Sequence, residues 1–217
     1  MKMEKIRFAI FDADGTLLDS MHIWDTLDGA FLTMRGIVPD EIGMFKKHGF
    51  FKTINHLIDH YNLYMSFDEI KDEMMMILSY YYDNVAVPKN GVKEFLQKLK
   101  DNGVRCVVAT ATDKSIMVPA LKRHGLLEYF DEVFSTKDVG VTKREPDIFN
   151  LARDFLGADC DTFIFEDAAY AIDTAKKAGY KVIAVEDYSD EADKEHIKLT
   201  ADYYISDYSQ IYSILDL

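Results

Sequence analysis

From Gly91 onward the chain alternates short apolar runs with helix-compatible stretches, joined by brief connections. Each crossover in such a pattern lays a helix on the sheet, so the strands are covered on both faces and read as near-continuous apolar runs; this is the signature of repeated βα units and a parallel sheet. Strands are expected at Arg7 to Phe11, Val104 to Ala109, Glu132 to Ser135, Thr162 to Phe165, Lys181 to Val185 and Asp202 to Ile205. Between them, helices are expected over Val92 to Asn102, Ser115 to His124, Pro146 to Leu156, Ala168 to Ala178 and Glu191 to Leu199. Gly103, Gly125, Gly157 and Gly179 stand where those helices should end. The expected class is α/β, a doubly wound parallel sheet.

The segment 17–86 breaks this rhythm. Helical stretches at Met21 to Arg35, Phe51 to Tyr61 and Phe67 to Asp83 follow one another without a convincing strand. The expected organisation is therefore a core of residues 1–16 and 87–217, with a small all-helical domain of residues 17–86 inserted after the first strand. Open α/β sheets bind ligands at the carboxyl ends of their strands, so an insertion there is placed to act as a lid.

The first strand runs out into Asp12-Ala13-Asp14-Gly15-Thr16. Side chains two apart share a side of an extended chain, so Asp12 and Asp14 project together, and Gly15 allows a sharp turn after them. Two carboxylates that close repel unless a cation or a shared proton intervenes. Three more strand ends carry reactive groups. Thr110-Ala111-Thr112 offers hydroxyls and backbone N–H groups just before a helix, which suits an anion; Thr142-Lys143-Arg144-Glu145-Pro146-Asp147 brings a lysine ahead of another helix; Glu166-Asp167 is a second acidic pair. Acids, hydroxyls, a cation and a metal site are thus expected on one rim. Glu186-Asp187 also follows an apolar run, and residue chemistry alone barely separates it from Glu166-Asp167.

Charge narrows the partners. Lys and Arg number 25 against 38 Asp and Glu, a formal charge of -13, which argues against nucleic acid or an anionic membrane surface. Cys106 and Cys160 lack metal-ligand spacing and are expected to be reduced thiols. With no signal-peptide pattern and no apolar stretch of membrane-spanning length, the expected setting is cytoplasmic, without membrane insertion. A monomer is expected.

Taken in order, these motifs resemble those of the haloacid dehalogenase superfamily, within the branch of phosphatases and β-phosphoglucomutase-like enzymes that carry a helical cap. Asp12-Ala13-Asp14-Gly15-Thr16 is similar to the DxDGT motif, Thr110 to the second-motif hydroxyl, Lys143 to the third-motif lysine, and Glu166-Asp167 to the fourth motif. The resemblance favours Glu166-Asp167 over Glu186-Asp187, because an Ala-rich helix and Ala178-Gly179-Tyr180 follow it as in the family. It implies a Mg²⁺-dependent phosphatase acting on a small phosphorylated metabolite. Asp12 would be the nucleophile that forms an aspartyl-phosphate, and Asp14 the general acid and base. Thr110 and Ala111 would bind phosphate with Lys143, which would also tie it to Asp12. Mg²⁺ would be held by Asp12, the Asp14 backbone carbonyl, and Glu166 or Asp167. Three carboxylates, with Asp14 protonated, would then balance Mg²⁺ plus Lys143.

Departures from the family pattern matter. Where the family usually has EDSxxGI, this chain has Glu166-Asp167-Ala168-Ala169-Tyr170-Ala171-Ile172. Sugar-phosphate mutases of the branch carry a histidine where this chain has Trp24 and a cap arginine where it has Lys52, and both differences count against a mutase. Lys52 also resembles the Schiff-base lysine of phosphonoacetaldehyde hydrolases, but those enzymes lack the second aspartate of the first motif. Lys52 is therefore expected to bind substrate. A non-enzymatic, receiver-like phospho-acceptor would combine similar groups but lacks a helical insertion.

Overall fold

The computed structural model describes residues 3–158 and 162–217, so Cys160 lies outside the described residues. In chain order the strands are β1 (Glu4–Lys5), β2 (Phe8–Phe11), β3 (Leu18–Asp19), β4 (Val87–Pro88), β5 (Arg105–Thr110), β6 (Glu132–Ser135), β7 (Thr162–Glu166), β8 (Lys181–Val185), β9 (Tyr203–Ile205) and β10 (Leu215–Asp216). The helices are α1 (Met21–Thr33), α2 (Met44–His60), α3 (Phe67–Asn84), α4 (Val92–Asp101), α5 (Lys114–Arg123), α6 (Thr136–Val139), α7 (Asp147–Leu156), α8 (Ala169–Lys177) and α9 (Lys194–Thr200).

Six strands form one sheet in the order β6-β5-β2-β7-β8-β9, and every neighbouring pair in it is parallel. The chain builds outward from β2 through β5 to β6, then crosses back to β7 on the other side. The topological switch point therefore lies at the carboxyl end of β2, where an open sheet leaves its crevice.

Alternation along β2 covers both faces. Ile10 lies with Val107, Ile164, Phe149 of α7 and Ile172 of α8 in one apolar cluster. On the other side Phe11 stacks on Phe165 with ring centres 4.3 Å apart and meets Phe95 of α4 edge-on at 6.2 Å. Tyr208 closes that cluster against Phe95 at 5.5 Å. The helices supply matching stripes, such as Val92, Phe95, Leu96 and Leu99 on α4 and Ile148, Phe149, Ala152 and Leu156 on α7, all buried. Each of these side chains larger than alanine contributes about 1.5–3 kcal/mol of burial, which makes the strand ends a firm platform.

The chain divides into two compact units, one reaching to Asp19 and resuming at Val87, the other spanning Ser20–Ala86. Leu17 and Leu18 thus group with the unit that holds the sheet, although the inserted helical domain was expected to begin at Leu17. The reason is a pairing that sequence did not reveal: β3 and β4 form a short antiparallel ladder, extended by the Lys89 N–H donating to Leu17 O at 2.9 Å.

The helical unit has its own logic. Ser66 and Glu69 form a capping box at the start of α3, with the Ser66 N–H donating to Glu69 at 2.8 Å and the Glu69 N–H to Ser66 Oγ at 3.3 Å. The second helix starts at Met44, not at the expected Phe51. Its N-terminal amides are capped by a residue of α1, since the buried Asp28 carboxylate accepts from Gly43 N–H at 3.1 Å and Met44 N–H at 2.9 Å. Gly49, at φ 74° and ψ 171°, then interrupts α2 before it resumes to His60. The expected helix at Glu191 to Leu199 is also different. A 3₁₀ turn at Tyr188–Asp193 precedes α9, because Asp187 accepts from Ser189 N–H at 2.9 Å and sets a tighter start.

Candidate active site

Asp12 follows the last residue of β2, and its N–H donates to Phe165 O at 2.9 Å, so the ladder holds the nucleophile candidate one step past the strand. The chain then folds back on itself. Leu17 and Leu18 N–H both donate to Ala13 O at 2.9 Å, and Gly15 N–H donates to Leu18 O at 2.9 Å. Gly15 has φ +80°, and a Cβ there would lie 2.2 Å from Asp167 Oδ2. Only glycine permits both this backbone and this approach of the turn to a carboxylate.

The neighbouring strands bring the remaining groups. Phe11 is opposite Phe165, so Glu166, the last residue of β7, and Asp167 after it fall beside Asp12. Asp12, Glu166 and Asp167 are all buried, and one carboxylate oxygen from each lies within 4.8 Å of the others. Lys143, from the connection between α6 and α7, is 2% exposed. Its ammonium donates to Asp12 and, at 2.7 Å, to Glu166 Oε2. The sequence pattern did not anticipate this second partner.

Burial dominates the electrostatics. It pushes the Asp12 carboxyl well above the ordinary range, Glu166 pushes it further, and Lys143 pulls it part of the way back. Asp167 is likewise raised, by burial first and then by Asp12, Glu166 and Asp187. Burial alone would lower the Lys143 ammonium, but Asp12 and Glu166 outweigh it and hold the group above its ordinary value. Were all three carboxylates ionised, they would exceed the one ammonium by two negative charges in a buried space. An all-oxygen donor set with that deficit fits one hard divalent cation, and the Gly15 turn, where a Cβ would strike Asp167, keeps the approach open. The Asp14 side chain is outside this cluster; its Oδ2 accepts from Thr112 Oγ1 at 2.6 Å.

Thr110, fully buried at the end of β5, accepts from the Thr112 N–H at 3.0 Å. A hydroxyl that accepts one bond still has its own proton to donate. Ala111 is exposed on the same turn. Lys52 is exposed on α2, three residues beyond the Gly49 break, and belongs to the helical unit. The rival acidic pair has other employment. Glu186 pairs with Lys194 at 2.5 Å, and Asp187, with its side chain buried, pairs with Lys89 at 2.9 Å.

Three supporting contacts were not expected from the sequence, although Thr16 and Thr112 stand inside its motifs. Thr16 Oγ1 donates to Asp167 Oδ1 at 2.9 Å, and the Tyr208 hydroxyl donates to Thr16 O at 3.1 Å. The third is the bond from Thr112, expected only as part of an anion cradle, to Asp14. The position of Thr112 two residues after Thr110 was a readable signal, whereas Tyr208 lies 192 residues from Thr16 and gave none.

The haloacid dehalogenase-like hydrolase family matches residues 9–185. Among characterised relatives, the pyrophosphatase PpaX of Halalkalibacterium halodurans is 26% identical over 209 residues, covering 89% of this chain and 92% of its own. The validoxylamine A 7'-phosphate phosphatase of Streptomyces hygroscopicus subsp. limoneus is 28% identical over 180 residues, covering 80% and 82%. The crystal structure of CbbY from Rhodobacter sphaeroides in complex with phosphate superposes with a TM-score of 0.77 at 19% identity, covering 95% of this chain and 96% of that one.

Proposed function

The chain belongs to the haloacid dehalogenase-like hydrolases, and from that premise we propose that it is a Mg²⁺-dependent phosphatase of small phosphomonoesters. One observation carries the reading: the Lys143 ammonium bridges Asp12 and Glu166 beside Asp167, with the Thr110 hydroxyl at the end of the adjacent strand. The names of the relatives, phosphatases and pyrophosphatases, support the reaction class.

Asp12, Glu166 and Asp167 would hold Mg²⁺, with the Asp14 backbone carbonyl as the further ligand carried by the family resemblance. When bound, the ion supplies charge neutralisation for the carboxylates and for phosphate oxygens. Asp12 attacks phosphorus, forming a P–O bond as the bond to the leaving oxygen breaks. Asp14 gives its proton to that leaving alkoxide, then takes one from the water that attacks the aspartyl-phosphate. The second displacement releases phosphate and restores the Asp12 carboxylate. Lys143 orients Asp12 and neutralises charge on the transferring group, while Thr110 and the Ala111 amide hold phosphate oxygens. The active species is a monomer in this reading, since one chain supplies every group.

Substrate choice we assign to the helical unit, with Lys52 as its candidate substrate-binding cation. Both connections to that unit leave from the β3–β4 pair, whose first strand follows the Gly15 turn directly. Trp24 and Lys52, where a mutase would carry histidine and arginine, favour hydrolysis over phosphoryl shuttling.

The purified protein should release phosphate from an activated aryl phosphate and from a panel of phosphorylated metabolites when Mg²⁺ is present. Asp12→Asn should abolish release, and acid quenching should trap phosphate on the wild-type protein alone. Undiminished turnover in that variant would falsify the assignment.

A further inference from the structure

Asp14 is only partly buried, and a proton carrier on a turn needs something to fix its rotamer. Thr112 provides it. The Thr112 hydroxyl, 5% exposed, lies 2.6 Å from Asp14 Oδ2, and the amide of the same residue donates to Thr110 Oγ1 at 3.0 Å. A hydroxyl has one proton, and here it is given to the carboxylate. Thr110 Oγ1, accepting from that amide, keeps its own proton for a phosphate oxygen. The three-residue turn at the end of β5 therefore fixes two things at once, the donor for the phosphoryl group and the carboxylate that handles its proton.

We propose that Thr112 is a positioning residue that holds Asp14 ready to act as the base in hydrolysis of the aspartyl-phosphate. The inference rests on the reading of Asp14 as proton carrier. The proton that each half-reaction requires of Asp14 decides which of them depends on Thr112. In the second half-reaction Asp14 must take a proton from the attacking water, so its carboxylate has to be held in one rotamer, and the 2.6 Å contact from Thr112 Oγ1 supplies that hold. In the first half-reaction Asp14 gives a proton away, and with an activated aryl leaving group even that proton is not needed. Loss of the Thr112 hydroxyl should thus slow the second half-reaction and spare the first.

The test compares wild type with Thr112→Val, which keeps side-chain volume, and Thr112→Ser, which keeps the hydroxyl. With an activated aryl phosphate and Mg²⁺, Thr112→Val should lower kcat about tenfold or more while kcat/KM changes by less than about threefold. Rapid acid quenching should find a larger steady-state fraction of the variant carrying phosphate. Thr112→Ser should restore both values toward wild type. Equal loss of kcat and kcat/KM, no rise in trapped phosphate, or no rescue by serine each overturns the proposal, whether or not the valine variant is well folded. Asp14→Asn separates this from the premise. If Asp14→Asn still turns over aspartyl-phosphate normally, the reading of Asp14 fails and Thr112 falls with it; if Asp14→Asn is inactive while Thr112→Val behaves as wild type, only the role of Thr112 fails.

Discussion

Lys143 is buried among groups that would each be costly there alone. An ammonium at 2% exposure survives because Asp12 and Glu166 answer its charge, and they in turn rely on it. Removing one partner of such a set strands the others, so Lys143→Met should cost about 3–5 kcal/mol of stability in the metal-free protein and abolish phosphate release. Urea denaturation in EDTA reads the first effect, and a small shift in midpoint would refute it. Asp167 gives the opposite sign. Its folded carboxyl binds its proton more tightly than the unfolded one, so its ionisation works against folding above the raised value. That penalty fades as pH falls toward the ordinary carboxylate range. In EDTA at pH 8, Asp167→Asn should therefore melt higher than wild type, and the gap should close as pH is lowered toward 5. With saturating Mg²⁺ the order should reverse. A gap that widens on acidification would show that Asp167 does not carry the charge penalty described.

Among the elements, the β2 turn is the most constrained, since it must reverse direction within a few residues and pass close to Asp167. Gly15→Ala adds a Cβ at φ +80° and 2.2 Å from Asp167 Oδ2, so the turn or the carboxylate must move. Backbone strain of about 1–2 kcal/mol and at least about tenfold weaker Mg²⁺ binding are expected. Isothermal titration of Mg²⁺ measures the second, and wild-type affinity in the variant would refute it. Helix α2 depends on a different device, the Asp28 carboxylate lent by α1. Asp28→Ala leaves two amides without their cap and should lower stability by about 1–3 kcal/mol, with Asp28→Asn losing less; chemical denaturation of the two variants side by side would show the ranking. Both devices explain where element boundaries departed from expectation. Helical periodicity marks the middle of α2 well, but its start is set by a residue 16 positions away on another helix.

For the whole molecule, the decisive quantity is the charge gathered at the sheet's rim. The two negative charges by which the ionised carboxylates would exceed Lys143 make divalent cation binding and folding one linked equilibrium. Mg²⁺ at about one hundred times its dissociation constant should add about 2.7 kcal/mol, an increase of about 5 to 10 °C in melting temperature, while Asp12→Asn should blunt the shift. Differential scanning calorimetry with and without EDTA measures this, and no shift would argue against a shared cation. No helix among the described residues is long and apolar enough to cross a membrane. The sequence by itself determined the six-stranded sheet, its strands to within a residue or two, and Asp12, Thr110, Glu166 and Asp167 as occupants of strand ends, whereas Lys143, expected at one too, comes from the connection between α6 and α7. It could do so because strand and helix periodicities are local, and because a parallel sheet brings all its carboxyl ends to one edge. Only the tertiary structure decided how those residues pair: Lys143 with Glu166 as well as Asp12, Thr112 with Asp14, Thr16 with Asp167, Asp187 with Lys89 rather than with the acidic cluster. Such pairings join residues 23 to 151 positions apart. They are fixed by strand register, burial and the need to satisfy each buried charge, and none of these is written in any short stretch of chain.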